Sequence, residues 1–165
     1  MPCYECIPEV VGLYISLTPW DSIKYVDEDG EELQTATGRE LLYGGSYDLV
    51  TDNTIENARV ITVGTGSDEK QYVLDSIEGA VTGNNVTEAV TVTLVYSLDE
   101  DENEVPDKYQ ATVSYKVEGG TFKEAEGTDK TTVTQTYNMK KWDEASKTWV
   151  DDPKKLCLLY TSRCV

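Results

Sequence analysis

The chain contains no histidine. That absence removes Ser-His-Asp and Cys-His nucleophilic catalysis and every imidazole-based zinc site. Carboxylate chemistry remains, which an acidic surface imitates without performing it. Phenylalanine occurs once and methionine twice in 165 residues, and leucine is sparse, so long amphipathic helices have little to pack with. No apolar run approaches the ~20 residues that cross a bilayer. The best run, Val10 to Leu17, lies between Pro8 and Pro19 with no Lys or Arg before it, a poor signal peptide. If the parent protein is secreted, Met1 is expected to be an internal residue.

Positive charge is scarce and unevenly placed. The net charge is −17, from 14 basic and 31 acidic side chains. Such a surface repels nucleic acid and anionic membrane, so neither is expected as a partner. Residues 1–107 hold four basic side chains (Lys24, Arg39, Arg59, Lys70) and a net charge of −19, whereas residues 108–165 have a net charge of +2. A shift of that size marks a module boundary. The boundary carries an acidic run closed by proline, Asp99-Glu-Asp-Glu-Asn-Glu-Val-Pro-Asp107, which reads as a linker.

The four cysteines do not make a disulfide framework. Cys157 and Cys164 fall in a nonapeptide, Cys-Leu-Leu-Tyr-Thr-Ser-Arg-Cys-Val165, unlike the rest of the chain. It resembles the translation of a transposon-end sequencing adapter running into its own reverse complement and a stop codon. On that reading the natural sequence ends near Leu156 and the tail is excluded from fold reasoning. Cys3 and Cys6 remain, a Cys-x-x-Cys without the βαβ context of a redox motif or the two further ligands of a zinc site.

What is present is Thr, Val and Tyr, residues that suit pleated, half-buried surfaces. Ser22 to Val26 reads as a strand and Asp27-Glu-Asp-Gly30 as a turn. Gly44-Gly45 turns into Tyr47 to Val50. Ala58 to Val63 is a strand ended by Gly64-Thr-Gly66, and Gln71 to Ile77 is followed by a turn region at Gly79 and Gly83-Asn-Asn85. The clearest strand is Val90 to Tyr96, with Val90, Val92, Leu94 and Tyr96 on one face. A short helix is expected around residues 52–58. Beyond the acidic run, Ala111 to Val117 and Lys130 to Tyr137 alternate, and Trp142 to Trp149 reads as a hairpin with its tip at Glu144 to Lys147. So small a piece is marginal in water, and residues 111–150 are expected to be less well ordered than the first module.

Ile23-Lys-Tyr-Val-Asp-Glu-Asp-Gly-Glu-Glu-Leu33, Gly44-Gly-Ser-Tyr47, Tyr72-Val-Leu-Asp-Ser-Ile-Glu-Gly79 and Val90 to Tyr96 together resemble the landmarks of mucin-binding-protein (MucBP-like) repeats of Gram-positive surface proteins. Val113-Ser-Tyr-Lys-Val-Glu-Gly-Gly-Thr-Phe122 and Asp129-Lys-Thr-Thr-Val-Thr134 resemble a companion repeat of such proteins. The resemblance implies a mainly β (α+β) architecture. A small β-grasp-like module with a short helix or loop spans residues 22–98. An N-terminal extension (1–21) precedes it; an acidic linker (99–107) and an incomplete, hairpin-rich second repeat (108–156) follow. It also implies a non-catalytic extracellular stalk or adhesin of the bacterial cell wall. Its partners would be host glycans or mucin and neighbouring repeats. The alternative is an accessory carbohydrate-binding module of a secreted glycoside hydrolase. The stretch from Arg39 to Gly66 is longer than the pattern suggests, so no binding residue is carried across.

Two constellations offer chemistry. Asp99, Asp101, Asn103 and Asp107 stand at positions one, three, five and nine of a calcium-type loop, a spacing that gathers oxygens around a hard cation. Position six is Glu104 where a glycine is wanted, and position twelve is Gln110 where a bidentate Glu is wanted. The run thus reads as a solvated linker of degenerate calcium type, with Ca2+ the only cofactor it could take. Tyr137, Trp142 and Trp149 are candidates for an aromatic sugar platform, set against the commoner use of such residues as cross-strand or core pairs. Asp27, Asp29, Glu31 and Glu32 read as a solvated hairpin tip with no cleft for glycosidic chemistry.

Overall fold

A computed structural model describes residues 20–121 and 131–153. The four cysteines, most of the N-terminal extension and the adapter-like nonapeptide lie outside the described residues.

The chain forms β1 (Trp20–Asp27), β2 (Glu32–Glu40), β3 (Gly45–Asp48), α1 (Thr54–Asn57), β4 (Val60–Val63), β5 (Lys70–Glu78), β6 (Thr82–Val86) and β7 (Val90–Asp99). After these come β8 (Gln110–Lys116), β9 (Thr132–Asn138), β10 (Lys140–Asp143) and β11 (Thr148–Asp151). The fold is mainly β, with one short helix and two single 3-10 turns among the described residues.

Five strands make a mixed sheet in the order β2-β1-β7-β5-β4. Its centre is the parallel pair β1–β7, running from Asp21 opposite Val90 to Asp27 opposite Tyr96. Parallel neighbours need a long crossover, and everything between residues 28 and 89 supplies it. The β1–β2 connection is a tight turn. Gly30 sits at φ 85°, and the Asp27 carboxylate accepts the backbone N–H groups of Asp29 (3.0 Å) and Glu31 (2.9 Å).

One face of the sheet is the core. Ile23 and Tyr25 of β1, Leu74 of β5, and Val92, Leu94 and Tyr96 of β7 are buried against Leu41, Tyr47, Leu49, Ile55 and Val86. The alternation read from Val90 to Tyr96 is therefore the buried face of the central strand. The covering layer is α1, through Ile55, and the small antiparallel pair β3–β6. Polar tips inside the layer are satisfied: Tyr96 donates to the Ala58 carbonyl (2.6 Å) and Tyr47 to that of Ala80 (2.8 Å).

Gly83-Asn-Asn85, expected in a turn region, lies within strand β6. The glycine serves packing. A Cβ on Gly83 would stand 2.3 Å from Cε1 of Tyr47, so only glycine lets that ring lie across the strand. The expected strand at Tyr47 to Val50 is displaced towards Gly45, and β2 is a strand that the sequence pattern did not reveal.

The opposite face of β7 carries Ser97 and Asp99, exposed by only 3% and 0%. Asp99 ends the strand as a buried residue, which differs from the solvated linker expected there.

Candidate functional site

The segment after β7 folds back on Asp99. The Asp99 carboxylate accepts the backbone N–H groups of Asn103 (3.2 Å) and Glu104 (2.8 Å) and the side-chain amide of Gln71 (2.8 Å). Asp107 closes the other end, its carboxylate accepting the N–H of Glu100 at 3.2 and 3.3 Å. Glu104 adopts φ 63°, the left-handed conformation that a glycine at this position would take freely. Its carboxylate pairs with the Arg59 guanidinium, which anchors the loop to the residue just before β4.

The loop turns its oxygens towards one point. One carboxylate oxygen each of Asp99, Asp101 and Asp107 lies within 4.8 Å of the others. Gln110 Nε2 donates to Asp101 Oδ1 (3.0 Å) and the Val105 carbonyl (3.0 Å), with Asn103 Oδ1 and Asp107 Oδ1 at 3.5 Å. An amide N–H2 thus occupies the centre of a ring of oxygens. Val105 stands at loop position seven, where calcium loops use a backbone carbonyl, and Gln110 at position twelve. Gln110 was noted from the sequence only as a departure from the expected Glu, and Val105 was not singled out, although the numbering of the loop predicts it. Burial pushes the Asp99 carboxyl above the usual carboxylate range, against the lowering effect of its Gln71, Glu104 and Asn103 donors.

The aromatic candidates divide. Trp142 and Trp149 face each other across β10–β11 and pack edge-on, with ring centroids 5.6 Å apart and planes at 64°. Trp149 is buried, and its indole N–H donates to the main-chain carbonyl of Leu74 (2.8 Å). Tyr137 lies on β9, where its hydroxyl meets Gln135 (2.6 Å) and Tyr115 (3.1 Å). The structure brings the two tryptophans together and gives Tyr137 different partners.

Tyr109 and Lys108 complete the junction between the two segments. Tyr109 packs against Trp149, ring centroids 5.6 Å apart and planes tilted at 45°, and donates its hydroxyl to Asp75 (2.7 Å). Lys108 pairs with Asp75 (2.8 Å) and Glu28 (2.6 Å), and Lys140 lies 4.2 Å from the centre of the Tyr109 ring. The N–H of Met139 donates to the Tyr109 carbonyl (2.7 Å), so the neck of the β8–β9 ribbon is tied shut at its base. No pattern in the sequence identified Asp75 as the partner of Lys108 and Tyr109, or Leu74 as that of Trp149.

A mixed sheet, covered on one face and bonded to the hairpin that follows it, defines a mainly β module. Residues 22–97 match the MucBP domain family, and this segment is a MucBP-like repeat. MucBP domains are non-catalytic repeats of bacterial surface proteins. No curated protein matches the chain. No helix among the described residues is long and apolar enough to cross a membrane.

Proposed function

We propose that the chain is a structural and adhesive segment of a bacterial cell-surface protein. It would be displayed outside the cell at the wall, serving as stalk and as weak binder of host glycans or mucin, without catalysis. The match of residues 22–97 to the MucBP domain carries this reading. The junction supports the stalk role. Hydrogen bonds and ion pairs join the repeat to the next segment, where a flexible linker would have left them independent. Purified chain passed over immobilised mucin tests the adhesive part, with deglycosylated mucin as control. Retention with a dissociation constant in the high micromolar to millimolar range is expected; no retention would leave the stalk alone.

A narrower proposal concerns the loop from Asp99 to Gln110, which we read as a weak Ca2+ site. The ring of oxygens around Gln110 Nε2 supports it. Gln110 would have to rotate so that its carbonyl oxygen faces inward. Calorimetric titration showing no heat at millimolar calcium would dispose of it.

A further inference from the structure

The tip of the β10–β11 hairpin does not close fully on the first module. It leaves a cavity of about 350 Å3, at the small end of the range for ligand sites. The first module lines it with Ile55, Ile77 and Val81 beside Ser76, and the hairpin tip lines it with Ser146 and Thr148, whose hydroxyls are hydrogen-bonded to each other (2.8 Å). These two linings come from segments some 70 residues apart, held together by the Trp149–Leu74 hydrogen bond and by the Lys147–Glu56 ion pair.

We propose that this cavity holds a neutral monosaccharide unit of a glycan; the proposal rests on the glycan-binding reading above and gives it a site. A pyranose ring presents an apolar C–H face and a rim of hydroxyls, and the cavity offers apolar side chains together with hydroxyls. Charge decides the class of sugar. Lys147 is the one cation among the residues lining the cavity, and its ammonium is already held by Glu56 (3.2 Å) and Glu144 (2.7 Å). Asp75, the other charged residue of the wall, is likewise paired, with Lys108 (2.8 Å), so the lining offers an anion no free cation, and the chain as a whole has a net charge of −17. Sialylated or sulfated sugars are therefore repelled, and neutral ones are not.

The test uses the full chain and an array of galactose- and N-acetylhexosamine-terminated oligosaccharides, with sialylated and sulfated counterparts. Ala145 lines the cavity from the exposed tip, so Ala145→Trp fills the space without entering the core. Near-ultraviolet circular dichroism confirms that the variant is folded. Thr148→Val, which removes one rim hydroxyl with little change of volume, is the second variant. The expected result is binding of neutral glycans that falls at least about tenfold in Ala145→Trp and less in Thr148→Val. Unchanged binding in both variants would overturn the site and leave the glycan reading standing. Binding confined to acidic glycans would overturn the neutral class. Loss in Ala145→Trp of binding to unglycosylated mucin peptide, with glycan binding intact, would assign the cavity to peptide instead. No binding of the unaltered chain to any glycan would overturn both the site and the reading it rests on.

Discussion

The indole N–H of Trp149 and the main-chain carbonyl of Leu74 lie 2.8 Å apart, across 75 residues of sequence. The carbonyl falls where the β5–β7 register shifts, between Leu74 and Ser76. A bulge disrupts the ladder locally, and the bulged carbonyl takes its hydrogen bond from a side chain of the following segment. The MucBP-like repeat and the hairpin are thereby one packing unit, although the family match stops at residue 97.

Replacement of Trp149 separates the two contributions of this contact. Trp149→Phe keeps an aromatic ring against Tyr109 and Trp142 but leaves the Leu74 carbonyl without its donor, at a cost of about 1–2 kcal/mol. Trp149→Ala also removes the ring and is expected to cost about 3–5 kcal/mol. Urea unfolding followed by Tyr25 and Tyr96 fluorescence or far-ultraviolet dichroism measures both. Equal losses in the two variants would show that the hydrogen bond, and not the packing, holds the hairpin.

The acid–base behaviour of the loop follows from burial. The Asp99 carboxyl is raised in the folded state. A raised carboxyl binds its proton more tightly when folded, so its contribution to stability is fully present below the unfolded value. That contribution is lost as pH rises through the folded one. Asp48 has the opposite sign. The Thr51 N–H and hydroxyl hold its carboxyl low, so its contribution is present above the unfolded value and disappears as pH falls through the folded one. Carboxyl carbon shifts in a pH titration are expected to place Asp99 above and Asp48 below the usual aspartate midpoint. An Asp99 midpoint at or below that of Asp48 would contradict the buried placement.

How much of this was legible in the sequence depends on whether the signal was periodic or positional. Val90 to Tyr96 alternates because one face of β7 is buried for its whole length, and the strand was read correctly. The hairpin tip at Glu144 to Lys147 was also plain. β2 was not, because it is an edge strand with Leu33 its only half-buried residue. With almost nothing to bury, it shows no period of two. β6 was hidden by Gly83, Asn84 and Asn85, which spell a turn but serve the Tyr47 ring. In the loop the ligand-type spacing was visible, whereas the buried state of Asp99 depends on Gln71, 28 residues earlier. Contacts of that range leave no local mark.

Gln110 offers a direct test of the loop. Gln110→Glu supplies the carboxylate that calcium loops use at position twelve and replaces an amide donor by an acceptor among Asp101, Asn103 and Asp107. Without a cation the like charges repel, so the variant is expected to lose about 1 kcal/mol at low salt. With millimolar calcium it should recover that loss and bind at least about tenfold more tightly than the unaltered chain. Thermal melts with calcium and with chelator measure the difference. A variant that melts at the same temperature in both would show that these oxygens do not converge on a cation.

Hydrogen exchange distinguishes the two hairpins of the C-terminal segment, which the sequence had treated alike. The β8–β9 ribbon pairs Gln110 with Asn138 through Lys116 with Thr132, and its Thr112, Ser114, Thr134 and Thr136 are exposed. A two-stranded ribbon with so little buried is marginal, so its amides are expected to open at a cost of about 0–2 kcal/mol. The β10–β11 hairpin is shorter, yet it is anchored by Trp149, by the Lys147 pair with Glu56 and by the bond from Asp152 N–H to the Met139 carbonyl. Its amides should exchange several-fold to orders of magnitude more slowly than the ribbon's, close to those of β5, against which it packs. Trp149→Ala should bring them down to the level of the ribbon while β7 keeps its protection. Equal protection in both hairpins of the unaltered chain would mean that the junction at Leu74 does not couple the segments, and the stalk would then be jointed at Asp99.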